Sequence, residues 1–310
     1  MKPKILLQAA LPAPLIAELQ QRYQLIDYQT LTAADFAAMA ADFQLLLTNG
    51  EATVTRELIA ALPNLALIAV FGVGYDGVDV VAAREHQVAV THTPGVLTDD
   101  VADLAMGLML ATSRQIVAAQ QFIQQGGWAQ GGYPWTRKVS GSRLGIVGLG
   151  RIGMAVAKRA QGFDMSIAYC NRTPLADAPW HYQPDLLTLA QQSDYLLLCT
   201  PGGASTRHLI NRPVLDALGK QGTLINISRG SVVDQQALIA ALDEGTLGAA
   251  GLDVFDDEPR VPEALQNRAN VVITPHIASA TWSTRQAMSQ RVLDNVRAYF
   301  AGHPLVTPIP

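Results

Sequence analysis

The chain has little with which to build a disulfide framework or a metal centre. It carries two cysteines in 310 residues, Cys170 and Cys199, each at the end of an apolar run. Nothing beside them has metal-ligand spacing, so no metal site is expected. They read as reduced thiols packed as small hydrophobes, as in a cytosolic protein. Charge is scarce as well: 15% of the residues are charged and the net charge is −4, with Lys and Arg scattered along the chain. Nucleic acid selects for a clustered basic footprint, so no nucleic-acid partner is expected. Long hydrophobic runs are missing. The longest helical apolar stretch, VADLAMGLMLAT from Val101, carries Asp103 and falls short of a membrane span. Met1-Lys2-Pro3-Lys4 leads straight into ILLQA, too short for the apolar core of a signal peptide. The expectation is a cytoplasmic protein with no membrane partner. Internal repeats and low-complexity tracts are absent too.

What the chain does have is hydrophobic content of 49% and a length that suits two domains better than one. Short β-branched or leucine-rich runs alternate with helical patterns, the mark of βα units around parallel sheets. Strands are expected near 4–8, 23–28, 43–48, 66–70 and 88–91, with helices such as APLIAELQQ and TRELIAAL between them. The rhythm breaks at Thr98, a plausible N-cap followed by Asp99 and Asp100 at the positive end of a helix. That helical pattern runs to about Gln124, where Gly126-Gly127 stops it. The polar segment WAQGGYPWTRKVSGS follows. From Arg143 the alternation restarts, and LGIVG, SIAYC, DYLLLCT, GTLINIS, GAAGLDV and ANVVITP read as buried strands. A last helix begins near Trp282 and ends around Ala301-Gly302.

LGIVGLGRIGMAVAKRA contains Gly148-x-Gly150-x-x-Gly153 directly after a strand and at the start of a helix. In such a turn the first glycine permits the tight bend. The second lets backbone approach a pyrophosphate, and the third lets helix and strand pack closely. Amides from Leu149 through Gly150 and Arg151 to Ile152 would then face the phosphates. The next strand, MSIAYC, ends in Asn171-Arg172-Thr173, with no Asp or Glu in the ribose position. A carboxylate there would bind the diol of NAD and repel a 2′-phosphate. Arg172 would pair with that phosphate, and Asn171 and Thr173 can donate further hydrogen bonds. NADP(H) is therefore expected in preference to NAD(H). The alternative for Arg172 is a solvated loop arginine.

Three later residues sit at or just beyond strand ends, where α/β folds put chemistry. Arg229 follows LINIS, Glu258 lies in DVFDDEP, and His276 follows VVITP. Taken singly, such an Arg can be a surface ion pair and such a His structural. Together, beside a nicotinamide, they suit reduction of a 2-oxo acid. Arg229 would hold the carboxylate or carbonyl and His276 would deliver the proton. Glu258 would orient His276 and raise its pKa.

GLGRIG, INISRGSVVD, AGLDVFDDEP, TPHIASAT and THTPGVLTDDVADLA closely resemble the D-isomer-specific 2-hydroxyacid dehydrogenase family, and the resemblance covers essentially the whole chain. Within the family the chain looks most like the NADPH-preferring glyoxylate/hydroxypyruvate reductases and the related hydroxyphenylpyruvate reductases. The resemblance implies a Rossmann-type doubly wound α/β coenzyme domain, 98–284, inserted into a flavodoxin-like substrate domain, 1–97 and 285–310. It implies catalytic roles for Arg229, Glu258 and His276. It also implies backbone donation from Val73 and Gly74 to the substrate carboxylate, and a place for Ser279 beside the substrate. Ile227 and Asp253 match positions on the nicotinamide side of the cofactor. A homodimer using the helix from Thr98 is the family's habit, although from sequence alone that helix reads equally as a core helix. Tyr75, Trp135 and Trp282 are candidates to wall the substrate pocket. His86, His181, His208 and His303 read as surface residues. The alternatives within enzymes are a bulkier 2-oxo acid, such as an aryl pyruvate or a keto-sugar acid. Outside enzymes, the alternative is a non-catalytic dinucleotide-sensing protein.

Overall fold

A computed structural model describes residues 2–309. The chain divides into two compact units, one running to Leu97 and resuming at Ala280, the other spanning Thr98–Ser279. The second crossing thus falls at Ser279/Ala280 rather than at 284/285. The reason is local: Thr281 caps the C-terminal helix by accepting the Thr284 amide, so the cap goes with its helix.

The first unit runs β1 (Lys4–Leu7), α1 (Ala13–Arg22), β2 (Gln24–Asp27), α2 (Ala33–Met39), β3 (Phe43–Asn49), α3 (Arg56–Ala60), β4 (Leu67–Phe71), α4 (Val80–Glu85) and β5 (Ala89–Thr91). Its sheet is wholly parallel, in the order β2-β1-β3-β4-β5, the flavodoxin-like arrangement. Every residue of β4 is buried, which is why that strand reads as a continuous apolar run. Helices begin where a side chain can accept an orphan amide, as Thr55 does for Leu58 and Asp79 for Ala82.

The second unit runs α5 (Thr98–Ser113), α6 (Ile116–Gln124), β6 (Arg143–Val147), α7 (Arg151–Gln161), β7 (Ser166–Cys170), β8 (His181–Tyr182), α8 (Leu186–Gln191), β9 (Tyr195–Leu198), α9 (Arg212–Leu218), β10 (Thr223–Asn226), α10 (Gln235–Asp243), β11 (Ala249–Leu252) and β12 (Val271–Ile273). Helix α11 (Trp282–Phe300) belongs to the first unit and packs on β4. The sheet order β12-β11-β10-β9-β6-β7-β8 is doubly wound, with its switch point between β6 and β9. Sequence reading misses β8, and with it the place of His181, because two residues carry no periodicity. It pairs with β7 through Ala168 and Tyr169.

The expected single helix from Thr98 to Gln124 is two. Gln115 takes a left-handed φ of 49°, and α5 and α6 meet at a 54° bend. No single helix among the described residues is long and apolar enough to cross a membrane. Helix α5 packs on α7, β10, β11 and β12 within its own unit, tied by Arg159 to Asp103 at 2.6 Å and to Asp99 at 3.0 Å. Helix α6 buries none of its residues, although Ile116, Val117 and Ile123 are apolar. Cys170 and Cys199 are unpaired, and burial pushes both thiols up, away from the reactive thiolate.

Candidate active site

Strand β6 delivers the chain to Gly148, whose φ of +95° suits glycine. A Cβ there would fall 2.8 Å from the Thr200 amide nitrogen on the neighbouring β9 loop. At Gly153 a Cβ would lie 2.6 Å from the Gly148 carbonyl oxygen, so α7 leaves the loop at a distance only glycine allows. A Cβ on Gly150 would meet nothing within 4 Å; it would project into open space at the start of α7. No side chain caps that helix. Its first amides therefore await an outside acceptor at the positive end of the dipole, which suits a pyrophosphate.

One expectation about those amides needs correction. The Leu149 amide donates to Asn171 Oδ1 at 2.7 Å, and the Gly150 amide to the Gly148 carbonyl at 3.0 Å. The amides left for phosphates start at Arg151, followed by Ile152. Asn171 thus fastens the end of β7 to the glycine-rich loop, and its own carbonyl accepts from Tyr182 of β8 at 3.2 Å. Arg172 and Thr173 are exposed beside it, and Arg172 has no partner among the described residues.

Strand β10 ends in a turn held by a buried asparagine. Asn226 Oδ1 accepts the Ser228 amide at 3.0 Å and Asn226 Nδ2 donates to the Arg229 carbonyl at 2.9 Å. Arg229, half-buried, also donates from Nη1 to the Ser228 carbonyl at 2.9 Å. Ile227 is buried in the same turn. Sequence reading takes NIS as plain strand. The signal it lacks is that an asparagine at a buried strand end must find internal partners.

The β11 and β12 loops bring Glu258 and His276 together across 18 positions of sequence. Glu258 Oε2 lies 2.7 Å from His276 Nδ1, while Oε1 accepts the Phe255 amide at 2.9 Å. One carboxylate oxygen is thereby fixed to its own loop and the other to the imidazole. Burial by itself would raise the Glu258 carboxyl. The His276 hydrogen bond, the Phe255 amide and the charges of His276 and Arg229 outweigh it and leave that carboxyl below its ordinary range. Because Nδ1 faces the carboxylate, proton exchange with a substrate falls to the other ring nitrogen, Nε2.

His276 itself has φ 51°, an uncommon conformation for a side-chain-bearing residue. Asp253 accounts for it. The His276 amide donates to the Asp253 carbonyl at 2.9 Å. The Asp253 carboxylate accepts Thr274 Oγ1 at 2.6 Å and the Ile277 and Ala278 amides at 2.9 Å each. Asp253 is fully buried, and burial pushes its carboxyl up against the pull of those donors. Its contacts make it the clamp on the His276 loop. Ser279, half-buried, closes that loop at the end of the second unit.

In the first unit, Val73 and Gly74 lie in the half-buried turn after β4, and Tyr75 packs on that unit's core. Trp135 and Trp282 are 101% and 96% exposed.

A doubly wound unit with an open glycine-rich loop, an Arg and a carboxylate-paired His at its strand ends defines a dinucleotide-dependent oxidoreductase. The chain belongs to the D-isomer specific 2-hydroxyacid dehydrogenase family, whose NAD binding domain matches residues 106–278. It is 46% identical over 307 residues to hydroxyphenylpyruvate reductase of Plectranthus scutellarioides, covering 98% of both chains. To glyoxylate/hydroxypyruvate reductase A of Arabidopsis thaliana it is 43% identical, again over 98% of both. Among solved structures it resembles the NADPH-dependent glyoxylate/hydroxypyruvate reductase of Sinorhizobium meliloti in complex with NADP and malonate. That likeness has a TM-score of 0.93 at 41% identity, over 100% of this chain and 97% of the other.

Proposed function

We propose that this protein reduces a small 2-oxo acid, glyoxylate or hydroxypyruvate, to the D-2-hydroxy acid with NADPH. The observation that carries the reading is the 2.7 Å contact between His276 Nδ1 and Glu258 Oε2, with Glu258 anchored at its other oxygen. It turns an imidazole into an oriented acid that can protonate a carbonyl oxygen from Nε2. The Arg229 guanidinium holds the substrate's carboxylate or polarises the carbonyl as negative charge grows on oxygen. Amides of Val73 and Gly74 donate to the carboxylate, with Ser279 beside it. NADPH, when bound, supplies the hydride to the carbonyl carbon, and the proton from His276 completes the alcohol.

The first-turn amides of α7, from Arg151 onward, would hold the pyrophosphate, which the bare Gly150 would let approach the backbone, with Ile227 and Asp253 toward the nicotinamide. Arg172, with the Asn171 amide group and Thr173, would take the 2′-phosphate, a reading supported by the exposed, unpartnered guanidinium and by the relative that binds NADP. The apolar, unburied α6 supports a homodimer. Two unpaired cysteines suit a cytoplasmic setting.

A second reading, a bulkier 2-oxo acid, is favoured by the likeness to the hydroxyphenylpyruvate reductase. The deciding experiment follows loss of NADPH absorbance with glyoxylate, hydroxypyruvate, hydroxyphenylpyruvate and a keto-sugar acid in turn. Turnover highest on the first two supports the proposal. Turnover highest on the larger acids replaces it, and cofactor binding without any turnover makes the protein a sensor.

A further inference from the structure

His92 follows β5 in the first unit. Its ring Nδ1 lies 2.9 Å from the carbonyl oxygen of Val73. A carbonyl can only accept, so Nδ1 carries the hydrogen. The ring meets Tyr75 edge-on, with centroids 5.4 Å apart and planes at 83°. The His92 backbone is pinned from the other side. Its amide donates to the Thr307 carbonyl at 3.2 Å, and its carbonyl accepts Thr307 Oγ1 at 2.6 Å. Thr307 is fixed in turn by Asn295, a buried residue of α11, whose Oδ1 accepts the Thr307 amide at 3.1 Å and whose Nδ2 donates to Thr307 Oγ1 at 2.8 Å. These contacts fix the backbone from which the imidazole reaches the Val73 carbonyl.

We infer that His92 is a positioning residue that aims the Gly74 amide at the substrate's carboxylate. The physical reason lies in the peptide between Val73 and Gly74, which is trans and planar. Its C=O and N–H point in opposite directions, so holding the oxygen toward His92 turns the Gly74 hydrogen away from His92. Glycine at position 74 widens the range of orientations this peptide can otherwise adopt. The hydrogen bond on the carbonyl also polarises the peptide and strengthens its N–H as a donor. The inference rests on the reading of Val73 and Gly74 as carboxylate donors.

The test compares the wild type with His92→Asn and His92→Leu. Asparagine carries its Nδ2 on Cγ, as histidine carries Nδ1, and can donate to the same oxygen. Leucine fills similar space without a donor. For His92→Leu, KM for the 2-oxo acid rises about fivefold, the worth of one neutral hydrogen bond. The kcat and the KM for NADPH stay within about twofold, and His92→Asn restores the substrate KM. An unchanged substrate KM in His92→Leu overturns the inference. So does an equal rise in both KM values, or a failure of asparagine to rescue. A second readout needs no turnover. A hydrogen bond on the Val73 carbonyl deshields the Gly74 amide nitrogen, so its ¹⁵N resonance moves upfield in His92→Leu and stays near the wild-type position in His92→Asn. No movement means that His92 does not hold the peptide. A wild type inactive on every 2-oxo acid defeats the functional reading instead, and the resonance then reports on the contact alone.

Discussion

Gly230 lies so close to Phe255 that a Cβ on the glycine would sit 1.9 Å from the Phe255 carbonyl carbon and 2.0 Å from its oxygen. The residue after Arg229 is thus pressed against the loop that carries Glu258. Backbone meets backbone there, and neither side has a flexible end that can yield. This approach sets the spacing between the loop bearing the guanidinium and the loop bearing the carboxylate.

Gly230→Ala is expected to destabilise the protein by about 3 kcal/mol, because the two loops must separate to admit a methyl group. Urea unfolding measures the loss, and activity should fall with it. A variant with the wild-type midpoint and turnover would mean the loops are not in contact.

Glu258 and His276 make a prediction about pH. The hydrogen bond and charge of His276 draw the Glu258 carboxyl below its ordinary range. By reciprocity the ionised Glu258 favours the protonated imidazole. Ketone reduction consumes that proton, so it should fall off as pH rises through the His276 titration, while oxidation of the hydroxy acid improves. Glu258→Gln keeps the shape and removes the charge, moving the reductive limb to lower pH. His276→Ala should lose about 10²–10⁴ in kcat and still bind NADPH. An unmoved pH profile in the first variant, or near-normal kcat in the second, assigns the proton to another group.

The bond from Leu149 to Asn171 separates two ways of losing a cofactor. Asn171→Ala frees the glycine-rich loop, so KM should rise for NADPH and NADH alike. Asn171→Asp keeps an acceptor for the Leu149 amide but sets a carboxylate beside the 2′-phosphate, so only NADPH should suffer. Arg172→Ala should raise the NADPH KM about tenfold or more and leave NADH nearly untouched. Steady-state kinetics with both cofactors reads all three. Equal use of both cofactors by the wild type would show that Arg172 selects nothing.

The uncovered α6 predicts assembly. Sedimentation at micromolar concentration should give a species near twice the 33.2 kDa chain mass. Ile116→Asp with Ile123→Asp should shift it toward the monomer, since both side chains are half exposed or more and hold no core in place. A single wild-type species near 33.2 kDa would leave α6 with some other covering.

The sequence by itself determined what is local. Buried parallel strands need unbroken apolar runs, helices need caps, and a pyrophosphate turn needs its glycines, so β6, Gly148, Gly150, Gly153 and the helix of Arg151 were all legible from neighbours in the chain. Arg229, Glu258 and His276 were legible because strand ends announce themselves by the turns that follow. The tertiary structure alone decided what depends on distance through space. Strand β8 exists because β7 offers it an edge. The helix from Thr98 breaks at Gln115 through one left-handed residue. Asn171 accepts the Leu149 amide and so ties the end of β7 to the glycine-rich loop. His276 could be expected to meet Glu258, but its left-handed backbone and the Asp253 carboxylate that holds it come from the packing of β11 against β12. A sequence records which groups need partners; only the folded sheet order sets which partner is within 3 Å.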